Sequence, residues 1–246
     1  VAWSGSEWGV AYMKAIGGNY EIMFERLGPT GTPVGSPLQI TSNAVNDNGP
    51  SIAWNGTRYA IAWYRGAPTE SYLITVAADG TTPWPTGGAP LLGSGCAGNS
   101  TPDVAPFGTD FAAAWSCDGL RIFVVRSDAW GALGTPFEIH DGSANARYEP
   151  EIAYGGSGRH GVVWGVQATA GAAFEVFGDV VDVAAGTDIA EVQMSNASPN
   201  SIYSKDIAAG TVDAGAGSGP GFGVVWQENT VNAVRGVVFD QSGNKS

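Results

Sequence analysis

The chain contains few of the residues that build reactive or metal-binding centres. Its 246 residues include two cysteines and two histidines, His140 and His160, which lie in different parts of the sequence. Zinc sites are made mainly from Cys and His ligands, so we expect no zinc centre. The hydrolase and zinc-protease signatures G-x-S-x-G and H-E-x-x-H do not occur. We therefore predict no catalytic residues and a protein that is not an enzyme.

Positive charge is also scarce. Lysine and arginine together number 11 against 23 acidic residues, which gives a net charge of −12 and a pI near 4.4. Such a protein repels phosphate backbones and anionic lipid surfaces. No stretch approaches the roughly twenty consecutive apolar residues of a membrane-spanning helix. We expect neither a nucleic-acid partner nor a membrane, and we expect a monomer.

The sequence is rich in glycine and tryptophan, and it repeats. Thirty-seven glycines and nine tryptophans, with 14% charged residues, are typical of short strands and tight turns. Two short apolar strands recur five times, as VAWSGSEWGVAY from Val1, PSIAWNGTRYAIAW from Pro50, PDVAPFGTDFAAAW from Pro102, PEIAYGGSGRHGVVW from Pro150, and KDIAAG from Lys205 with a later FGVVW. The aromatic residues that close the second strand are spaced by 51, 52, 49 and 62 residues, at Tyr12, Trp63, Trp115, Trp164 and Trp226. An insertion over Thr211–Gly221 accounts for the longest interval.

Each repeat continues with a third strand and, in four repeats, a fourth. The third strands are YEIMFERL, SYLITVAAD, LRIFVVRS, FEVFGDVVD and VRGVVFD, and the fourth are PLQIT, PLLGS, PFEIH and AEVQMS. Four strands per repeat make one propeller blade, and apolar residues on both strand faces indicate a sheet packed between neighbours. We predict an all-β, five-bladed β-propeller with four antiparallel strands per blade and an incomplete last blade. The single domain spans 1–246, with blades at 1–43, 44–95, 96–143, 144–198 and 199–246.

Two recurring positions suggest an axial metal site. An alanine stands in the first strand of every repeat, at Ala2, Ala53, Ala105, Ala153 and Ala208. Two residues before it, four repeats have a serine or an acid, at Ser51, Asp103, Glu151 and Asp206. Small residues allow strands to approach closely at an axis, and solvated acids are tolerated at strand starts. Alternatively, inward carbonyl oxygens and carboxylates in a narrow channel favour a hard cation. We predict Ca²⁺ as the cofactor at these nine residues.

The tryptophans and cysteines divide by position. The four recurring tryptophans are interpreted as core residues, whereas Trp8, Trp84 and Trp130 do not recur and lie in or beside turns, where an exposed indole can stack on a sugar. Cys96 precedes the first strand of the third repeat and Cys117 follows its second strand. Antiparallel pairing brings these ends together, so we expect a disulfide and an oxidising compartment.

The repeat P-[S/D/E]-[I/V]-A-[W/Y]-x-G, followed by an apolar strand that ends in Trp, resembles tandem propeller repeats of large secreted bacterial proteins. The resemblance covers nearly the whole chain and implies secretion. In blade number the chain is also similar to five-bladed lectins of the tachylectin type, although its turns diverge more than identical sugar pockets would allow. Propellers host lectins, hydrolases and scaffolds alike, so the fold leaves function open.

We therefore expect a non-catalytic extracellular binding or scaffold module, stabilised by axial Ca²⁺, that presents loops to a protein or glycan partner. Two alternatives stay open. A glycoside hydrolase of the five-bladed type needs two acids about 5–9 Å apart, for which Asp103, Glu151 and Asp206 are the candidates. A carbohydrate-binding lectin is the other.

Overall fold

The five repeats form five separate antiparallel sheets, numbered 1 to 5 along the chain. The computed structural model describes residues 1–66, 69–81, 83–90, 96, 101–140, 146–167, 174–195, 202–213, 218–228 and 233–245. Within these residues all regular structure is strand, and consecutive strands are neighbours in every sheet. No described helix is long and apolar enough to cross a membrane.

Sheets 1 to 4 have four strands each, and sheet 5 has three among the described residues. Sheet 1 contains β1 (Ala2–Trp3), β2 (Trp8–Ile16), β3 (Asn19–Leu27) and β4 (Leu38–Gln39). Sheet 2 contains β5 (Asp47–Trp54), β6 (Arg58–Gly66), β7 (Thr69–Ala77) and β8 (Trp84–Pro90). Sheet 3 contains β9 (Asp103–Phe107), β10 (Asp110–Cys117), β11 (Arg121–Ser127) and β12 (Phe137–His140). Sheet 4 contains β13 (Ala146–Gly156), β14 (Arg159–Gln167), β15 (Phe174–Asp182) and β16 (Thr187–Gln193). Sheet 5 contains β17 (Ile202–Asp213), β18 (Ser218–Glu228) and β19 (Ala233–Asp240).

Both faces of the inner sheets are buried against neighbouring sheets, as the apolar pattern predicts. In sheet 2, Tyr59, Ile61 and Trp63 pack in a cluster with sheet 1, whereas Ala60 and Ala62 pack in a cluster with sheet 3. Two further clusters join sheet 3 to sheet 4 and sheet 4 to sheet 5. Burial of apolar surface between consecutive sheets is therefore the main stabilising term of the fold.

Each sheet presents its larger side chains to the sheet before it and its smaller ones to the sheet after it. The larger residues on the second strands of sheets 3 to 5 are Phe111 and Trp115, Val162 and Trp164, and Phe222 and Trp226. The small residues on the opposite faces include Gly9, Ala112, Ala114 and Gly161. A Cβ at Gly161 would lie 2.7 Å from the Phe222 ring, so the aromatic ring requires a glycine there.

One face of sheet 1 and one face of sheet 5 lie outside this series. Trp3 and Trp8 form a cross-strand pair on the face of sheet 1 that turns away from sheet 2, and they are 40% and 38% exposed. On sheet 5, Val225 is 50% exposed and lines a shallow depression of about 510 Å³ with Ala208 and Val238. Among the described residues these two sheets share no hydrophobic cluster. The described clusters therefore join sheets 1 to 5 in series, with an aromatic face on sheet 1 and a small-residue face on sheet 5 outside them.

The described outer strand of the second repeat lies earlier in the chain than expected. It runs from Trp84 to Pro90, whereas residues 91–94 of the expected strand PLLGS lie outside the described residues. Most of the insertion over Thr211–Gly221 lies in strands, since β17 continues to Asp213 and β18 begins at Ser218. Residues 214–217 lie outside the described residues. Added residues that keep the strand pairing lengthen a hairpin without disturbing the packed part of the sheet.

The five sheets each fall within one of the blade segments expected from the sequence. The third strands lie where the repeat places them, and sheet 5 has no fourth strand among its described residues. Blade boundaries within the chain stay a prediction.

Candidate functional site

The first strands of sheets 2 to 5 lie side by side and bring the predicted acidic positions to one end of the fold. Register shifts interrupt β5 just before Ser51, β13 just before Glu151 and β17 just before Lys205. Gly49 and Glu149, which lie at two of these shifts, have φ angles of 57° and 51°. This conformation costs a non-glycine residue about 1 kcal/mol. Bulges of this kind re-aim the side chains that follow them.

Asp103 connects three of the sheets. Its carboxylate accepts a hydrogen bond from the Ser51 hydroxyl of sheet 2 and one from the Ile152 backbone N–H of sheet 4, at 2.8 Å. The Ser51 hydroxyl also accepts a bond from the Val104 N–H at 3.3 Å. Burial raises the pKa of Asp103, and the nearby Asp206 carboxylate adds to this, whereas the hydrogen bonds oppose it. Asp103 therefore links sheets 2, 3 and 4 through its hydrogen bonds, in addition to contributing charge.

Glu151 and Lys205 are partly buried charged residues of the same region. Burial is the main cause that raises the pKa of Glu151 to about 8, and Asp103, Asp206 and Glu149 raise it further, while Lys205 opposes them. Burial lowers the pKa of Lys205, against the attraction of Glu151, Glu149 and Asp103. At neutral pH most molecules therefore hold a proton on Glu151. We name Ser51, Asp103, Glu149, Glu151, Lys205 and Asp206 the acid cluster.

A cavity of about 440 Å³ opens at the acid cluster. Ser51, Asp103, Glu149 and Glu151 line it, together with Val1 and the residues around them on the first strands. Asp206 stands at the edge of the group: it is exposed, and its carboxylate accepts a bond from the N–H of Ile207 at 2.8 Å. The structure therefore brings all four predicted polar positions together, with Ser51, Asp103 and Glu151 in one cavity and Asp206 beside them.

The carboxylates of the acid cluster are not arranged as a compact cation site. Among the described residues, only Cys96, Cys117 and Asp118 place three potential ligand atoms within 4.8 Å of one another. The sulfur atoms of that group form a disulfide, which cannot ligate a metal as thiolates do. A cation at the acid cluster would therefore bind to one or two carboxylates and keep part of its hydration shell.

The recurring alanines lie in the small-residue faces of the sheets. In register, Ala53 pairs with Ala60 and Ala105 pairs with Ala112, while the three others pair with a glycine; these are Ala2, Ala153 and Ala208, opposite Gly9, Gly161 and Gly223. Small residues therefore face each other across the first two strands of every sheet, which explains the alanines by close packing. Carbonyl ligation of Ca²⁺ at these positions stays a prediction.

Two charged members of the acid cluster were missed from the sequence. Lys205 stands directly before Asp206, and Glu149 stands two residues before Glu151. Neither position repeats in the other blades, so the repeat gave no reason to single them out. Their proximity depends on the strand bulges, for which the Gly49-Pro50 and Glu149-Pro150 pairs are the only local signal.

His160 occupies a core position that is aromatic in the other sheets. It aligns on the second strand with Tyr59, Phe111 and Phe222, and it is fully buried between Phe107 and Tyr154. Its Nε2 lies 3.0 Å from the Pro106 carbonyl oxygen, whereas Nδ1 has no hydrogen-bond partner. Burial lowers the pKa of His160 to about 4, so the ring is neutral and structural.

The recurring tryptophans are core residues, as predicted. Trp63, Trp115, Trp164 and Trp226 are at most 7% exposed. The predicted disulfide is also present: Cys96 and Cys117 are joined, with their Cα atoms 5.2 Å apart.

No protein-family model matches the chain, and no curated protein matches it. Solved structures do resemble it. A protein of unknown function from Bacteroides caccae is 14% identical with a TM-score of 0.46, over 95% of this chain and 73% of that one. An ACO/RPE65 chimera is 10% identical with a TM-score of 0.51, over 97% of this chain and 56% of that one. Oligogalacturonate lyase from Vibrio parahaemolyticus is 8% identical with a TM-score of 0.38, over 93% and 73%.

These likenesses concern the fold alone, and this chain spans little more than half the length of the chimera. Together with the successive four-stranded sheets, the likeness to the chimera fits an all-β fold of β-propeller type.

Proposed function

We propose that this chain is a non-catalytic, extracellular binding or scaffold module. The observation that carries the proposal is the bonding of Asp103, whose carboxylate accepts hydrogen bonds from the Ser51 hydroxyl and from the Ile152 N–H. A carboxylate held in this way links strands and is poorly placed to attack a substrate. The Cys96–Cys117 disulfide supports an oxidising, extracellular location.

We propose further that the sheets are five blades of one closed ring. In the four described interfaces a face of larger side chains packs on a face of smaller ones. The two uncovered faces differ in side-chain size in the same way. Sheet 1 presents the large residues Trp3 and Trp8, and sheet 5 presents the smaller residues Ala208, Val225 and Val238. Docking of sheet 5 on sheet 1 would repeat the pattern and remove both exposed apolar surfaces from water. A closed ring is compatible with a monomer.

Calcium is proposed to bind at the cavity of the acid cluster, in competition with the proton on Glu151. Four carboxylates and one ammonium leave the acid cluster with excess negative charge once Glu151 ionises, and a hard cation with oxygen ligands relieves this charge. Metal analysis of the purified protein by plasma mass spectrometry tests the proposal. About one Ca²⁺ per chain, absent after EDTA dialysis, is expected for wild type and not for Glu151→Gln.

One observation favours a second candidate function, glycoside hydrolysis. Asp103 and Glu151 line the same cavity, and a carboxyl group with a pKa of about 8 is suited to act as a general acid. Incubation with arabinan and xylan separates the two functions. A binding module releases no reducing sugar, whereas release that Asp103→Asn abolishes would establish the hydrolase.

A further inference from the structure

Two of the exposed tryptophans lie on neighbouring backbone segments at the rim where sheets 2 and 3 meet. Trp84 begins β8 of sheet 2, and Trp130 lies in the turn after β11 of sheet 3. A Cβ at Gly131 would lie 2.9 Å from the Trp84 carbonyl oxygen, so the two backbones are in contact. The sequence places these residues 46 positions apart, and the repeat does not relate them.

Arg58 links the two tryptophans. Its guanidinium carbon lies 4.4 Å from the centre of the Trp130 ring, and its Nε donates to the Thr75 hydroxyl at 3.3 Å. The Thr75 hydroxyl in turn donates to the Trp84 carbonyl oxygen at 3.4 Å. Thr75 is paired with Trp84 in register, so both side chains lie on the face of sheet 2 that turns toward sheet 3. Arg58 is 8% exposed and therefore forms the floor of this group.

The indole rings themselves are held open to water. Trp130 is 58% exposed and Trp84 is 49% exposed, whereas the recurring tryptophans are at most 7% exposed. The Trp130 backbone is fixed by the Asp128 carboxylate, which accepts bonds from the N–H groups of Trp130 and Ala132 at 2.8 and 2.9 Å. One face of the Trp130 ring lies on Arg58, and its exposure places the other face in solvent.

A structural role between the sheets does not account for two exposed indoles. Equivalent bridges elsewhere on the rim need no aromatic residue: Arg26 of sheet 1 donates to the Asp79 carbonyl oxygen of sheet 2, and Lys245 donates to the Gln193 carbonyl oxygen of sheet 4 at 2.7 Å. Exposed apolar surface contributes nothing to folding, and adjacent exposed aromatic residues on a rigid support are typical of a binding surface.

Resting on the binding-module function proposed above, we propose that Trp84, Trp130 and Arg58 form a binding site for a neutral oligosaccharide of β-linked pyranose rings. Such rings carry equatorial hydroxyl groups and flat C–H faces, which stack on indoles. The net charge of −12 disfavours acidic glycans.

Titration with cellohexaose and xylohexaose, followed by tryptophan fluorescence and by calorimetry, tests this site. We expect one of the two probes to bind wild type with a Kd below about 1 mM, and Trp84→Ala and Trp130→Ala each to weaken binding at least about tenfold. Trp84→Phe and Trp130→Phe should retain most of the affinity, because an aromatic face remains. Tyr20→Ala, which removes a 48% exposed aromatic ring from sheet 1, is the control and should leave Kd unchanged.

Thermal melting of every variant separates a lost site from a lost fold. Absence of binding of both probes up to about 10 mM would overturn the inference, as would binding that both alanine variants retain within about twofold. Neither result touches the proposed non-catalytic role, which depends on the acid cluster and on the absence of sugar release.

Discussion

Asp103 on sheet 3 accepts a hydrogen bond from the Ile152 backbone N–H on sheet 4, at 2.8 Å, while its other carboxylate oxygen is bonded to Ser51 on sheet 2. One side chain thus connects the first strands of three consecutive sheets. Because these strands lie next to one another at the acid cluster, the carboxylate contributes to both the packing and the charge of the cavity.

Replacement of Asp103 by alanine should destabilise the fold. The change leaves the Ile152 N–H and the Ser51 hydroxyl without their acceptor, which costs roughly 1–3 kcal/mol. For a chain of this size the melting temperature should fall by about 3–10 °C. Differential scanning calorimetry at pH 7 measures the shift. Glu138→Ala, at an exposed position of sheet 3, is the control and should change Tm little; equal shifts for both variants would contradict the role of Asp103.

Replacement of Glu151 by glutamine should stabilise the protein at alkaline pH. The folded pKa of Glu151 is about 8, above its ordinary value of 4.5. A carboxyl group with a raised folded pKa favours the folded state below pH 4.5, and this contribution is lost as pH rises through 8. The neutral amide imitates the protonated acid and escapes the loss. Urea unfolding between pH 5 and 9 should show the variant gaining on wild type as pH rises; parallel pH profiles would show that Glu151 ionises freely in the folded protein.

Replacement of His160 by phenylalanine should protect the fold against acid. The folded pKa of His160 is about 4, against an ordinary value of 6.5. The stability that the neutral ring contributes to the fold is therefore fully present above pH 6.5 and is lost as pH falls toward 4. At pH 4.5 the loss amounts to roughly 2.5 kcal/mol. Phenylalanine occupies the equivalent position in sheets 3 and 5, at Phe111 and Phe222.

The measurement is the free energy of unfolding of His160→Phe and wild type at pH 7 and pH 4.5. The variant should stay within about 1 kcal/mol of wild type at pH 7 and exceed it at pH 4.5. His140→Gln, which changes the other histidine, should keep the acid-induced loss. If His160→Phe loses as much stability between pH 7 and pH 4.5 as wild type does, the acid sensitivity comes from another group.

Replacement of Val225 by aspartate tests closure of the ring. If sheet 5 docks on sheet 1, the charge is buried against Trp3 and Trp8 and Tm falls by several degrees, about as for other buried unpaired charges. Ile189→Asp, at a 38% exposed position on the outer strand of sheet 4, is the control. On an open surface both substitutions should cost less than about 0.5 kcal/mol. Equal, small effects would therefore contradict closure between these two sheets.

The repeat made most of the fold predictable. Equivalence along the chain marked Trp63, Trp115, Trp164 and Trp226 as core residues, and strand alternation marked both faces of each sheet as buried. The outer strands were harder to predict from the sequence, because their apolar pattern is short and their side chains are only partly buried. The strand at Trp84–Pro90 was missed since its sequence, WPTGGAP, contains two prolines and two glycines, which are depleted in strands, and a single β-branched residue, Thr86.

The acid cluster could be predicted in part for the same reason. Equivalent positions in a repeat occupy equivalent places, so Ser51, Asp103, Glu151 and Asp206 were expected together. Lys205 and Glu149 enter through bulges that no repeat specifies, and the contact between the backbones of Trp84 and Gly131 depends on a turn that packs on the neighbouring sheet. Irregular backbone and contacts between sheets carry the features that the periodic pattern does not encode.

Thermal melting in calcium tests most directly that the acid cluster takes up a cation. At about pH 8.5, where Glu151 ionises, Ca²⁺ at roughly 100 times its Kd should raise the Tm of wild type by about 5–10 °C. EDTA should reverse the rise, and at about pH 6, where the proton occupies Glu151, the rise should be much smaller. Glu151→Gln should show none. An unchanged wild-type Tm with Ca²⁺ and with EDTA at both pH values, or an equal rise in Glu151→Gln, would contradict the proposed cation site.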